Sequence, residues 1–212
     1  MLCTGGQKPL PRKPTLTDPC AGNLIYDAQS DANHGSNAFW KLAEWFALIA
    51  ALGEAAALGL EALAGMEATV PFIGEVLAGL LSGAAVLLQT LVAASAVEAI
   101  FAGIVATEFG DQSADHTPSD WSTSAMENFR DEVDNTIAVG SFIAMTFATL
   151  TGLFSDALKS PIGSAINGKV PGLAPLVGVL FGGIGGSLAE GEILSNTANY
   201  WIGQMNNDLG YA

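Results

Sequence analysis

Glu44, Glu54, Glu61 and Glu98 interrupt long apolar stretches of this chain. Carboxylates placed this way serve either as solvated charge on a helix face or as the lining of an aqueous path, where a ring of them favours cations. At about 100° per residue, Glu54 and Glu61 fall nearly in line, with Glu44 roughly a quarter-turn aside, so a helix here would carry an acidic stripe. Glu98 is placed differently. It follows "VLAGLLSGAAVLLQTLVAASAV", the 22 uncharged residues from Val76 to Val97, and precedes "AIFAGIVAT". A carboxylate inside a membrane span is costly and marks a functional site by default, whereas a helix ending at Glu98 would leave it in water. Both readings stand, and Glu54, Glu61 and Glu98 form the candidate ion pathway.

Other reactive side chains are sparse. His34 and His116 both lie in polar sequence; His116 has Asp115 and Asp120 nearby but no cysteine. Cys3, Cys20 and His34 amount to three ligands, yet their spacing matches no zinc pattern. No "GxSxG" nucleophile elbow and no phosphate-binding loop is present. The expectation is a protein without catalytic residues, cofactor or metal.

The elements that would position the carboxylates are helices. Half of the 212 residues are hydrophobic, 13% are charged and mean hydropathy is +0.40, a composition far more apolar than a soluble domain's. Alanine and glycine dominate where a strand would use valine and isoleucine, so the fold class is all-α, with no heptad or longer repeat visible. The 21 acidic residues against seven basic give a net charge of -14. That balance excludes nucleic acid as a partner, because no basic patch can be assembled. It also excludes electrostatic adhesion to anionic lipid, leaving apolar burial as the source of any membrane affinity.

Five segments follow. Residues 1–38 form a polar, irregular lead; "MLCTGGQKPLPRKPTLTDPC" lacks the apolar core of a secretory signal. Residues 39–107 hold apolar helices with the acidic stripe, Ser36 or Asn37 serving as N-cap. Residues 108–135 are an acidic connector containing eight carboxylates and one arginine, with a short helix from Thr123 to Val133. Residues 136–190 read as a hydrophobic helical hairpin with Lys159 and Lys169 at its tip, and 191–212 as a polar tail in which Tyr200 and Trp201 suit an interface. Asn135 to Ser155 and Val170 to Ala189 are each long enough to span hydrocarbon without a charge. In "GVLFGGIGGSLAEG", Gly178, Gly182 and Gly186 recur every four residues, and Gly79 and Gly83 repeat the spacing upstream. Such bare helix faces let backbones approach closely, a main source of helix adhesion in a bilayer. The architecture expected is an apolar, membrane-inserting bundle with a glycine-zipper hairpin. If charge bias sets orientation, Lys8, Arg12, Lys13 and Lys41 lie with the hairpin tip and permit one crossing between 42 and 107; two crossings would put the N-terminus with the acidic connector.

An acidic chain with a polar lead, Ala/Gly-rich helices and segments such as "PLVGVLFGGIGGSLAEG" resembles the small pore-forming effectors of bacterial type VI secretion. The resemblance covers about 42–107 and 136–190. It implies a toxin that reaches a rival's inner membrane without a signal peptide and conducts ions, cations given the carboxylates. It also implies a homo-oligomer in the lipid bilayer, a secretion-tube carrier and an immunity protein. In water the hairpin would be covered by the acidic-striped helices, the lead or a carrier. Two other classes stand beside it: a constitutive membrane component (holin-like, virion membrane or transporter subunit), and a soluble all-α binding or assembly protein.

Overall fold

The computed structural model describes residues 21–67, 73–158 and 173–211; within these, side chains at 21, 63–67, 73–81, 84, 87, 91, 148–158 and 173–189 fall outside the description. The protein is all-helical, with no strand among the described residues. Four long helices follow one another: α1 (Ala21–Glu67), α2 (Ile73–Ala114), α3 (Thr123–Leu158) and α4 (Leu173–Asp208). Cys3, Cys20, the basic residues of the lead, and Lys159 and Lys169 lie outside the described residues.

Two compact units share these helices. Unit 1 takes residues 1–43, 101–138 and 193–212, and unit 2 takes 44–100 and 139–192. Unit 1 has a core of large apolar side chains. Trp121, Phe39, Phe109, Leu194, Ile202, Met205 and Leu209 are fully buried in it. Phe109 stacks on Phe39 at 5.4 Å and meets Phe129 edge-on at 5.0 Å, the two favoured aromatic geometries. Gly35 exists for this cluster, since a Cβ there would lie 2.6 Å from the Phe109 ring. Unit 1 also closes its own ends. The Ser122 hydroxyl accepts from the Ala125 amide and caps α3. Beyond α4, Gly210 adopts φ 72°, while the Tyr211 and Gly210 amides donate to the Asn206 and Asn207 carbonyls, a Schellman closure. The turn delivers the Tyr211 hydroxyl to the Trp121 carbonyl at 2.6 Å.

Several boundaries differ from the sequence reading. The stretch from Ala21 to Ser36 is helical, part of α1, rather than irregular lead. Ser36 is not an N-cap; it sits buried within α1 and donates to the Ala106 carbonyl at 2.7 Å. The short helix expected from Thr123 starts there but runs unbroken into the apolar segment. α2 likewise passes through Glu98 without a break, so no helix end relieves that residue. A heptad is present after all. Along α1 the inward positions are Ala32, Ser36, Phe39, Ala43, Phe46, Ala50, Gly53, Ala57 and Leu60, with steps alternating between four and three. Hydropathy hides this seam because the inward residues are mostly small and the outward ones, such as Trp45 and Leu52, are large and apolar.

Candidate functional site

Unit 2 buries small residues and two carboxylates where unit 1 buries large apolar ones. Its described core is built from alanines (Ala50, Ala57, Ala85, Ala94, Ala144) with Phe46 and Leu60, and among them are buried Ser95, Glu98 and Glu190. Its outward positions carry Trp45, Leu48, Ile49, Leu52, Leu58, Val86, Phe142 and Met145. Phe142 is 73% exposed and Trp45 64%, while Glu98 is 0% exposed. Water sorts side chains the other way, because burying an ionised carboxylate without a partner costs far more than exposing one apolar residue.

The buried polar layer has definite members. Glu98 occupies a seam position of α2, three residues after Ser95 and four before Ala102. Glu190 accepts a hydrogen bond from the Ser95 hydroxyl, at 3.1 Å to Oε1 and 3.3 Å to Oε2. The Ser141 hydroxyl lies beside Glu98, and the Glu190 charge acts on it, but neither Oε of Glu98 has a donor in hydrogen-bond geometry. Gly191 completes the layer. A Cβ there would stand 2.6 Å from Ser141 Oγ and 3.6 Å from Glu98 Oε1, so only glycine lets Ser141 approach the α4 backbone this closely. Lys, Arg and His are missing from the described residues of unit 2 altogether.

The other residues singled out from sequence are distributed as follows. Glu44, Glu54 and Glu61 are exposed, and Glu61 Oε1 accepts from Gln89 Nε2 at 3.0 Å. They lie on the outer face of α1 and do not join Glu98. Gly83 is exposed, and a Cβ there would meet nothing within 4 Å, so no helix packs against it in the single chain. Gly79 belongs to α2, and Gly178, Gly182 and Gly186 belong to α4, but their packing lies outside the described residues. Gly53, which sequence reading passed over, does make a close approach: its Cβ would lie 2.6 Å from Val92 Cγ2. Glu190 was read as the last residue of the hydrophobic hairpin, with no part in the ion pathway. The signal that could have placed it is its likeness to Glu98, since each is the first charge after an uncharged run of span length.

Unit 1 holds its own acidic group. Asp208 meets Asp31 and lies near Asp27; burial first, then these neighbouring carboxylates, push the Asp208 carboxyl up to about 6. His34 lies 3.9 Å from Asp31 and stacks on Trp201 at 5.8 Å. The His116 ring nitrogen is 2.7 Å from Gln29 Nε2. Among the described residues no group of three or more His, Cys, Asp or Glu converges as metal ligands.

Two stretches, Gly22–Ala62 and Leu88–Ala114, are long and apolar enough to cross a membrane. Only 17% and 35% of their most apolar windows are buried, unlike the core helix of a soluble protein. Unit 1 contains both the N-terminal part of α1 and the connector between α2 and α3. No protein-family model, curated protein or solved structure matches this chain.

Proposed function

We propose that the protein is a membrane-inserting, pore-forming toxin whose unit 2 enters the lipid bilayer and passes cations. The observation that carries this reading is the sorting of unit 2, with Trp45, Leu52 and Phe142 outward and Glu98 and Glu190 buried. In hydrocarbon the outward apolar residues are solvated by lipid tails and Glu98 and Glu190 face the bundle interior, while Glu44, Glu54 and Glu61 on the outer face of α1 must meet water or another helix. Carboxylates with no basic partner among the described residues favour cations over anions along any path through the unit. Unit 1, with its aromatic core and acidic surface, stays in water. The glycine faces of α2 and α4 serve oligomerisation, and exposed Gly83 is free to take part in it.

The resemblance to type VI effectors supports delivery into a rival's inner membrane. The same outward residues mean that a delivered form needs a carrier to cover them in water, and a producing cell needs an immunity protein. They also favour a second reading, a constitutive membrane component that is never soluble. Sedimentation after lysis separates the two: a delivered toxin is recovered soluble or carrier-bound, a constitutive component only with membranes.

The deciding experiment is single-channel recording across a planar bilayer with unequal salt on the two sides. Discrete steps with a cation-selective reversal potential are expected. A silent bilayer containing inserted, folded protein would sink the pore reading.

A further inference from the structure

The Glu98 layer has a property that pore formation does not require. Two carboxylates, Glu98 and Glu190, are buried together, and the described residues of unit 2 hold no base to neutralise them. An unpartnered buried carboxylate is destabilising unless something supplies positive charge. Glu190 has the Ser95 hydroxyl, whereas both oxygens of Glu98 are orphaned. The orphan faces the other oxygens of the layer: Ser141 Oγ and Glu98 Oε1 both close on the backbone of Gly191, lying 2.6 and 3.6 Å from where a Cβ would stand.

We propose that Glu98, Glu190, Ser95 and Ser141 form a binding site for a divalent cation of calcium's size. Every donor is a hard oxygen, which selects against metals preferring nitrogen or sulfur. Two carboxylates and two hydroxyls offer six oxygens, the lower end of calcium's usual six to eight, at flexible geometry. Magnesium needs a near-ideal octahedron and gives up its waters reluctantly, so it suits the layer less well. A doubly charged ion also cancels the pair's charge in one step, which a monovalent ion does not. The ligands come from three helices: Ser95 and Glu98 on α2, Ser141 on α3 and Glu190 on α4. An ion there would tie those helices together. The site depends on the folding of unit 2 and not on conduction.

The test uses the full chain in detergent micelles, stripped with chelator and dialysed against calcium chloride at fixed ionic strength. One calcium per chain is expected to bind saturably and to raise the thermal midpoint, with magnesium at least tenfold weaker. Glu98→Gln and Glu190→Gln should each weaken calcium binding tenfold or more, while exposed Asp131→Asn leaves it unchanged. Ser141→Ala, a milder change, should weaken binding several-fold and keeps the test sharp if a glutamate variant fails to fold. Absence of saturable binding, or equal loss in Asp131→Asn, would overturn the site and mean that protons or diffuse surface charge neutralise the layer. Calcium binding by a protein silent in the bilayer would retain the site and remove the pore; conductance without binding would do the reverse.

Discussion

Replacing Glu98 by glutamine keeps the side chain's size and removes charge from a position with no hydrogen-bond partner. In chelator the Glu98→Gln variant should therefore be more stable than the parent, because an amide without partners is less costly to bury than an ionised carboxylate without them. A chemical-denaturation midpoint below the parent's would show that the carboxylate is satisfied in a way the geometry does not display. Asp208 makes the opposite kind of statement, about pH. Its folded carboxyl titrates near 6, above its ordinary 3.8, so the folded state holds a proton that the unfolded chain has released between those values. This stabilisation is complete below about pH 4 and is lost as pH rises through 6. Thermal melts should show the Asp31/Asp208 end of unit 1 losing stability over that window. Asp208→Asn, neutral throughout, should flatten the slope; an unchanged slope would place its origin in another group.

At the level of the helix, the glycines fall into distinct kinds, and alanine substitution separates them. Gly59 has nothing within 4 Å of where its Cβ would be, so Gly59→Ala should gain up to about 1 kcal/mol of helix propensity. Gly35→Ala meets the Phe109 ring at 2.6 Å, and that ring is held between Phe39 and Phe129. Overpacking of about 1–3 kcal/mol should outweigh the propensity gain and leave unit 1 less stable. Gly53→Ala should fall between them, because the Val92 methyl that it strikes lies on a half-buried side chain with more room to adjust. Urea unfolding of the three variants gives the ranking, and any other order would count against the close approaches. The zipper glycines make a different prediction. Gly182→Leu with Gly186→Leu should abolish toxicity without preventing expression; retained toxicity would remove the zipper from the mechanism. The heptad of α1 shows why such distinctions are hard to draw beforehand. Its inward positions are mostly alanine, serine and glycine, so the seam carries almost no hydropathy signal.

For the molecule as a whole, the proposed function divides the two units between water and lipid. Phe109 lies in the core of unit 1, and Phe109→Ala should cost about 3–5 kcal/mol there, as large aromatic truncations do. Trp45 and Phe142 lie on the outside of unit 2, and changing both to serine should leave folding in detergent intact while reducing membrane partition. Flotation with lipid vesicles measures this; undiminished flotation of the double variant would mean that another surface meets the lipid.

The sequence by itself determined the helical class. Alanine and glycine at such frequency, with uncharged runs of about twenty residues, leave no route to a sheet. It also determined that Glu98 is exceptional, because an isolated charge within a long apolar stretch is visible without coordinates. What only the tertiary structure decided is which face of each helix points inward. Periodicity reveals a buried face through contrast, and in unit 2 the contrast is blurred: mostly small residues go in together with Glu98 and Glu190, while many large apolar residues and Glu44, Glu54 and Glu61 face out. Glu190 therefore read as the end of the hairpin, and Glu54 and Glu61 as partners of Glu98. Glu98, Glu190, Ser95 and Ser141 come together from α2, α3 and α4, across up to 95 residues of chain. No local pattern records that meeting, because packing between helices creates it.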